Sequence, residues 1–262
     1  MPKRLLLQLL ARLRLLTPAY RAYERARTLA HRNEDGASDG VPLPPARLRL
    51  RVAGTAGAEW FLESGRLAAE SIHAALRTAG APLEERMAIL DFGCGCGRVL
   101  RHLRDLRGEL HGSDADAAAI RWCRANLPFA RFHEHRLAPP LELADESFDL
   151  VYALSVFTHL PPALERAWVD ELTRILQPRG FLLLTTHGDR YRERLTESER
   201  ARYDRGDVVV RFEEAAGLNL CTTFHPPSYV RERLAHGLEL VGEVPVGAAG
   251  NPYQDLYLLQ KP

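Results

Sequence analysis

Three glycines at alternate positions, Gly93, Gly95 and Gly97, follow a short apolar run and enclose Cys94 and Cys96. A turn with so few Cβ atoms lets backbone N–H groups approach a ligand closely. A helix opening just after it, near Arg98, would add unpaired N–H groups and a partial positive charge. Such a loop holds a carboxylate, a phosphate or ribose hydroxyls. Asp114 stands about twenty residues further on, where a carboxylate can accept from a pair of ribose hydroxyls. His159 and His187 each follow an apolar run. A neutral imidazole there can take a proton near pH 7.

The elements that would position these groups are legible. Residues 88–92 read as a buried strand, 109–114 as a second strand, and 131–135 as a short third. Residues 148–154, apart from Asp149, and 181–184 are apolar, as expected of strands covered on both faces of a parallel sheet, the second continuing to Thr186. Apolar positions at helical spacing predict helices over 59–79, 120–127 and 163–176. In such a sheet, chemistry gathers beyond the carboxyl ends of the strands. That places Ser155, Thr158, His159 and His187 at one crevice.

The glycine pattern discriminates between ligands. The dinucleotide fingerprint needs a third glycine at the sixth position, which Arg98 occupies here. A nicotinamide dehydrogenase is therefore a poor fit. The run Asp91-Phe-Gly-Cys-Gly-Cys-Gly-Arg98, the acid at Asp114, and Ser147-Phe-Asp-Leu-Val-Tyr-Ala-Leu-Ser155 followed by Leu176-Gln-Pro-Arg-Gly180 resemble the class I S-adenosylmethionine (SAM) methyltransferases. The resemblance covers about residues 81–261. It implies an α/β, Rossmann-like fold: a mostly parallel seven-stranded sheet with an antiparallel last strand. It also implies SAM as cofactor and S-adenosylhomocysteine (SAH) as product.

Carried over residue by residue, the resemblance places Asp91, Gly93, Cys94, Gly95, Gly97, Arg98, Asp114, Ala115, Leu137 and Ser155 against the cofactor. Arg98 either faces the methionine carboxylate or runs back along its helix. Asp116 is read as the N-cap of the helix that follows. Many of these enzymes put an acid after the third strand to hold the adenine amine. Leu137 stands there instead, so adenine would meet backbone groups and apolar side chains. His159 and His187 are the candidate bases; the alternative role of His159 is a hydrogen bond to the backbone around the turn, and that of His187 is shaping the acceptor pocket. Tyr191, His225 and Tyr229 are placed on the acceptor side. No carboxylate cluster accompanies them, so no metal is expected.

The 262 residues suffice for one large α/β domain with additions. A net charge of +1 argues against a nucleic-acid binder. Four cysteines without a Cys-x-x-Cys pair support neither zinc nor a dithiol motif, and fit a reduced, cytoplasmic setting. Residues 1–80 read as an N-terminal helical extension and linker covering the active site. Leucines in 1–16 fall at helical spacing, with Arg4, Arg12 and Arg14 elsewhere on the wheel. That stretch is too short and charged to span a bilayer. It packs on the core, lies on a membrane surface as a peripheral contact, or pairs with a partner; packing is preferred. Residues 81–262 form the SAM-binding domain, with an acceptor lid at about 189–229. Trp60 and Phe61 either help close the pocket or pack in the core.

The first functional reading is O-methylation of a small hydroxylated metabolite or sugar. N- or C-methylation in the same pocket is the second. A non-catalytic SAM-binding protein at a membrane surface or partner is the third. Oligomeric state is not legible.

Overall fold

The computed structural model describes residues 15–29, 39–251 and 253–262. Seven strands form one sheet in the order β3-β2-β1-β4-β5-β9-β8. They are β1 (Ala88–Phe92), β2 (Glu109–Asp114), β3 (Arg131–Glu134), β4 (Phe148–Ala153), β5 (Leu176–Thr186), β8 (Glu239–Val244) and β9 (Asp255–Gln260). The pairings β1–β2, β1–β4, β2–β3 and β4–β5 are parallel, whereas β9 runs antiparallel to β5 and β8. This is the expected seven-stranded sheet with its reversed last strand. The strand order turns back between β1 and β4, which opens a crevice beyond their carboxyl ends.

The sheet is covered on both sides because its strands are apolar on both sides. Ile89, Leu110, Leu150, Leu183 and Leu258 face one cluster, under α3 (Ala58–Thr78) and α4 (Ala117–Asn126). Leu90, Phe92, Val151, Leu182 and Leu259 face the other, where α5 (Pro162–Ile175) contributes Trp168, Val169 and Leu172. Each fully buried side chain of this size contributes about 1.5–3 kcal/mol.

One local expectation is corrected. No regular helix opens at Arg98; the chain makes successive turns to a short 3-10 segment, Leu100–His102. Positive φ at Gly93, Gly95 and Gly97 breaks helical continuity, and i→i−3 bonds such as His102 N to Val99 O replace the regular ladder. The charged stretch after His187 is two pieces, a 3-10 segment Asp189–Arg194 and α6 (Glu197–Tyr203). Thr196 and Glu199 form a capping box that starts the second. Pro226 precedes the short helical turn Pro227–Tyr229, which passes into a π-helical turn, Val230–Leu234. Phe61 is fully buried in the core, and Trp60 is away from the crevice.

Two further helices come from the N-terminal part, α1 (Leu16–Thr28) and α2 (Ala46–Ala53). The expected helix over 1–16 lies outside the described residues as far as residue 14. The chain between β5 and β8 carries a two-stranded antiparallel ribbon, β6 (Val209–Arg211) with β7 (Thr222–Phe224). Among the described residues no helix is long and apolar enough to cross a membrane.

Candidate active site

A cavity of about 490 Å³ lies beyond the carboxyl ends of β1, β2 and β4. The glycine turn forms its floor. Asp114, at the end of β2, accepts from Gly95 N on Oδ2 (2.8 Å) and from Asp116 N on Oδ1 (2.7 Å). A carboxylate has about four acceptor sites, so roughly two remain for ligand hydroxyls. Burial raises its pKa against the pull of those N–H groups. Asp116 takes the expected capping role, accepting from Ala118 N at 2.9 Å.

The opposite wall pairs an acid with a base. Asp91 is buried at the cavity, and burial pushes its pKa up to about 7, against the pull of the Arg98 guanidinium. Arg98 donates to Ser64 O (2.7 Å) and to Asn251 Oδ1 (3.0 Å), while its Nε is buried without a partner. It neither runs along a helix nor reaches solvent. Asp91, Arg98 and Asn251 all line the cavity. A carboxylate beside a guanidinium suits an amino-acid zwitterion, with the ammonium on the acid and the carboxylate on the base.

Ser155 closes β4 with φ at +60° and takes its place through a buried network. Its N–H donates to Thr185 Oγ1 (2.8 Å), and its Oγ accepts from Gln254 Nε2 (2.8 Å). Thr185 Oγ1 donates in turn to Gln254 Oε1 at 2.7 Å. Leu137 lies at the cavity as well, its carbonyl held by Trp168 Nε1 at 2.9 Å.

His135 lies beside it and was missed in the sequence. Its ring stacks on Phe92 (centroids 5.3 Å apart, planes at 16°), and Nδ1 donates to Arg136 O at 2.7 Å. Nε2 is then an acceptor, buried without a partner. An exocyclic amine of an aromatic base would satisfy it. So the cavity offers a hydroxyl-binding carboxylate, a zwitterion site and an amine acceptor around one floor, and these are the three recognition needs of SAM.

His159 lines the cavity and is half-buried. Its Nδ1 lies 2.7 Å from Cys221 O. A carbonyl only accepts, so Nδ1 carries the proton and Nε2 keeps a lone pair. Burial lowers its pKa, which keeps the ring neutral at pH 7. His187 follows β5 with its centroid 6.5 Å from that of His159. It is fixed in the same tautomer by Thr223 O at 3.2 Å, but stands behind the cavity wall. Burial, with the charges of neighbouring groups, drives its pKa down to about 3. That makes it a weak proton acceptor.

The acceptor roles expected of His225 and Tyr229 are corrected. His225 and Glu165 are both fully buried, with Nε2 2.7 Å from Oε1, and the Tyr229 hydroxyl donates to Glu165 Oε2 at 3.1 Å. This triad ties the inserted ribbon to α5, away from the cavity. Tyr191 packs on His187 (centroids 4.2 Å apart) outside the cavity. No group of three or more metal-ligating side chains occurs among the described residues.

The roof comes from the N-terminal helices. Tyr20 and Glu24 of α1 and Leu48, Arg51 and Val52 of α2 line the cavity, joined by residues 216–219 of the insertion. Arg51 pairs with buried Glu24 (2.6 Å) and with Asp116 (2.6 Å), and its carbonyl accepts from the Asn219 amide. No residue pattern marked these positions; a salt bridge between residues 27 and 65 apart in sequence leaves no local trace.

Comparisons with known proteins agree with this geometry. Residues 89–180 match the family described as Methyltransferase domain. The ubiquinone biosynthesis O-methyltransferase of Dinoroseobacter shibae is 31% identical over 110 residues, 38% of this chain and 41% of that protein. The same enzyme of Cereibacter sphaeroides is 29% identical over 121 residues, 42% and 45% of the two chains. The chain thus spans under half the length of these curated relatives. Among solved structures, a SAM-dependent methyltransferase from Mesorhizobium loti superposes with a TM-score of 0.55 at 16% identity, covering 71% of this chain and 95% of that one. The glycopeptide N-methyltransferase MtfA complexed with SAH gives 0.52 at 17% identity, covering 74% and 90%. At these identities the structural likeness is one of fold. Residues 89–180 are thus similar to a methyltransferase domain, on a fold like that of SAM-dependent methyltransferases.

Proposed function

We propose that this protein methylates a hydroxyl of a small acceptor, with His159 as general base. The observation that carries the reading is the tautomer of His159: a half-buried, neutral imidazole at the cavity whose Nδ1 proton is committed to Cys221 O. SAM bound there supplies a methyl group already activated by its sulfonium charge. The residues therefore align the partners and accept a proton. Asp114 holds the ribose hydroxyls, Asp91 and Arg98 the amino-acid end, and His135 Nε2 the adenine amine. Gly93, Cys94, Ala115, Leu137 and Ser155 shape the walls, whereas Gly97, also expected at the cofactor, does not line the cavity and faces Leu127. His159 Nε2 takes the hydroxyl proton as the acceptor oxygen bonds to carbon. His187 keeps the ribbon in place through Thr223 rather than acting as base.

Residues 1–80 serve as the cover and residues 81–262 as the catalytic domain, with 189–229 as the acceptor lid. The support is that α1, α2 and residues 216–219 all reach the cavity. Several of the curated relatives that match are named O-methyltransferases, which favours oxygen over nitrogen or carbon. The test is transfer of labelled methyl from SAM into a fractionated bacterial extract. Label in the polar small-molecule fraction is expected. SAH binding without label in any fraction would overturn the reading.

A further inference from the structure

Beyond His187 the surface carries a cationic and aromatic patch that the proposed reaction does not use. The 3-10 segment Asp189–Arg194 leaves β5 and brings Tyr191 against His187. Tyr253 comes from the β8–β9 loop, between Asn251 and Gln254, which reach the cavity through Arg98 and Ser155. The two tyrosine rings meet edge to face, centroids 6.4 Å apart. Arg194 lies over both, at 4.9 Å and 5.5 Å, and Arg190 lies over Tyr253 at 5.2 Å.

Neither Arg190 nor Arg194 forms an ion pair among the described residues, although their neighbour Arg192 pairs with Asp204. Asp189 is engaged by the Tyr203 hydroxyl at 3.0 Å. Both arginines are exposed, as is Tyr253. Two guanidinium forks on one aromatic wall carry two positive charges and several free donors. That arrangement matches a phosphate, with its charge near −2 and three acceptor oxygens, better than a single carboxylate. The aromatic faces hold the guanidinium planes in place without neutralising them. The patch adjoins His187, on which Tyr191 packs, and the His187 ring stands 6.5 Å from that of the proposed base, His159.

We propose that Arg190 and Arg194, braced by Tyr191 and Tyr253, form a phosphate-binding subsite that selects hydroxylated acceptors carrying a phosphate group. The inference rests on the proposed methyl transfer, whose acceptor it narrows. Its test reads binding rather than turnover. Inorganic phosphate is titrated into the SAH-loaded protein and followed by the amide NMR shifts of Tyr191 and Tyr253. Saturable shifts are expected in the wild type. In Arg190→Gln/Arg194→Gln the affinity should fall about tenfold or more. It should be unchanged in Arg121→Gln, an exposed arginine on α4. SAH affinity should be equal in all three proteins, which also reports that the double variant is folded. Single variants at each arginine should show intermediate losses. Absence of saturable shifts, or an equal loss in Arg121→Gln, overturns the subsite. Failure of SAH to bind the wild type would instead overturn the methyl-transfer reading, and phosphate titration of the unloaded protein would still decide the subsite.

Discussion

His159 donates its Nδ1 proton to the Cys221 carbonyl across 2.7 Å, so one backbone oxygen of the inserted ribbon decides which ring nitrogen can act as a base. Removing the imidazole should then slow chemistry and leave cofactor binding alone. His159→Ala is expected to lose about 10²- to 10⁴-fold in kcat, with SAH affinity unchanged. Because burial lowers the pKa of His159, the acid limb of the wild-type kcat profile should lie below pH 6.5. An acid limb above that value would assign the base elsewhere.

Arg51 latches the roof to the floor through Glu24 and Asp116. Arg51→Gln strands the buried Glu24 carboxylate, a loss of about 3–5 kcal/mol for a pair of this kind. Hydrogen exchange should accelerate in Leu16–Thr28 and SAH should dissociate faster, while β1 amides exchange at their former rate. Uniform acceleration across β1 would show that Arg51 supports the whole fold instead.

Gly95 sits at φ +54° directly under Val52, and a Cβ built on it runs into Val52 Cγ2. Gly95→Ala should therefore displace α2 and weaken SAH binding. Val52→Ala should restore part of the loss, leaving the backbone strain of about 1–2 kcal/mol. If the double variant binds SAH no better than Gly95→Ala, the clash is not the cause.

Asp91 and His187 bend stability with pH in opposite directions. Asp91 is held near pKa 7 when folded against an ordinary 3.8, so the folded protein binds the extra proton between those values. Stability from this group falls as pH rises through that window. His187 is held near 3 against an ordinary 6.5, so the unfolded chain binds the extra proton, and stability falls as pH drops from about 6.5 toward 3. The effect reaches at most about 4 kcal/mol for Asp91 and about 5 kcal/mol for His187. Urea unfolding at pH 5 and pH 8 separates them. Asp91→Asn should gain more stability on going from pH 5 to pH 8 than His187→Gln does. The reverse order would contradict both assignments.

The site's floor was readable from the sequence and its roof was not. The glycine turn, Asp114 and the ends of β1, β2 and β4 belong to continuous stretches where strand, turn and chemistry follow one another. Asp116 is likewise a local signal, an aspartate just ahead of an apolar helix. The Thr196–Glu199 capping box is an equally local signal, and it starts α6 apart from the 3-10 segment before it. Arg98 differs in kind, because its partners Ser64 and Asn251 lie 34 and 153 residues away. His225 looked like an acceptor residue because it follows β7, yet the buried carboxylate of Glu165 draws it inward. His135 was passed over because its stacking on Phe92 depends on the packing of β3 beside β2. Long-range pairing, not residue type, separates the readable half of the site from the rest.

Equilibrium binding of SAH to the wild type and to Asp114→Asn, side by side in a calorimeter, tests the central claim most directly. Asparagine keeps the shape of the side chain and removes its charge. The wild type should bind, and Asp114→Asn should bind more weakly by about 1.5–3 kcal/mol, the contribution of charge-assisted hydrogen bonds to the ribose hydroxyls. Equal affinities, or no binding by the wild type, would contradict the placement of the cofactor over the glycine turn.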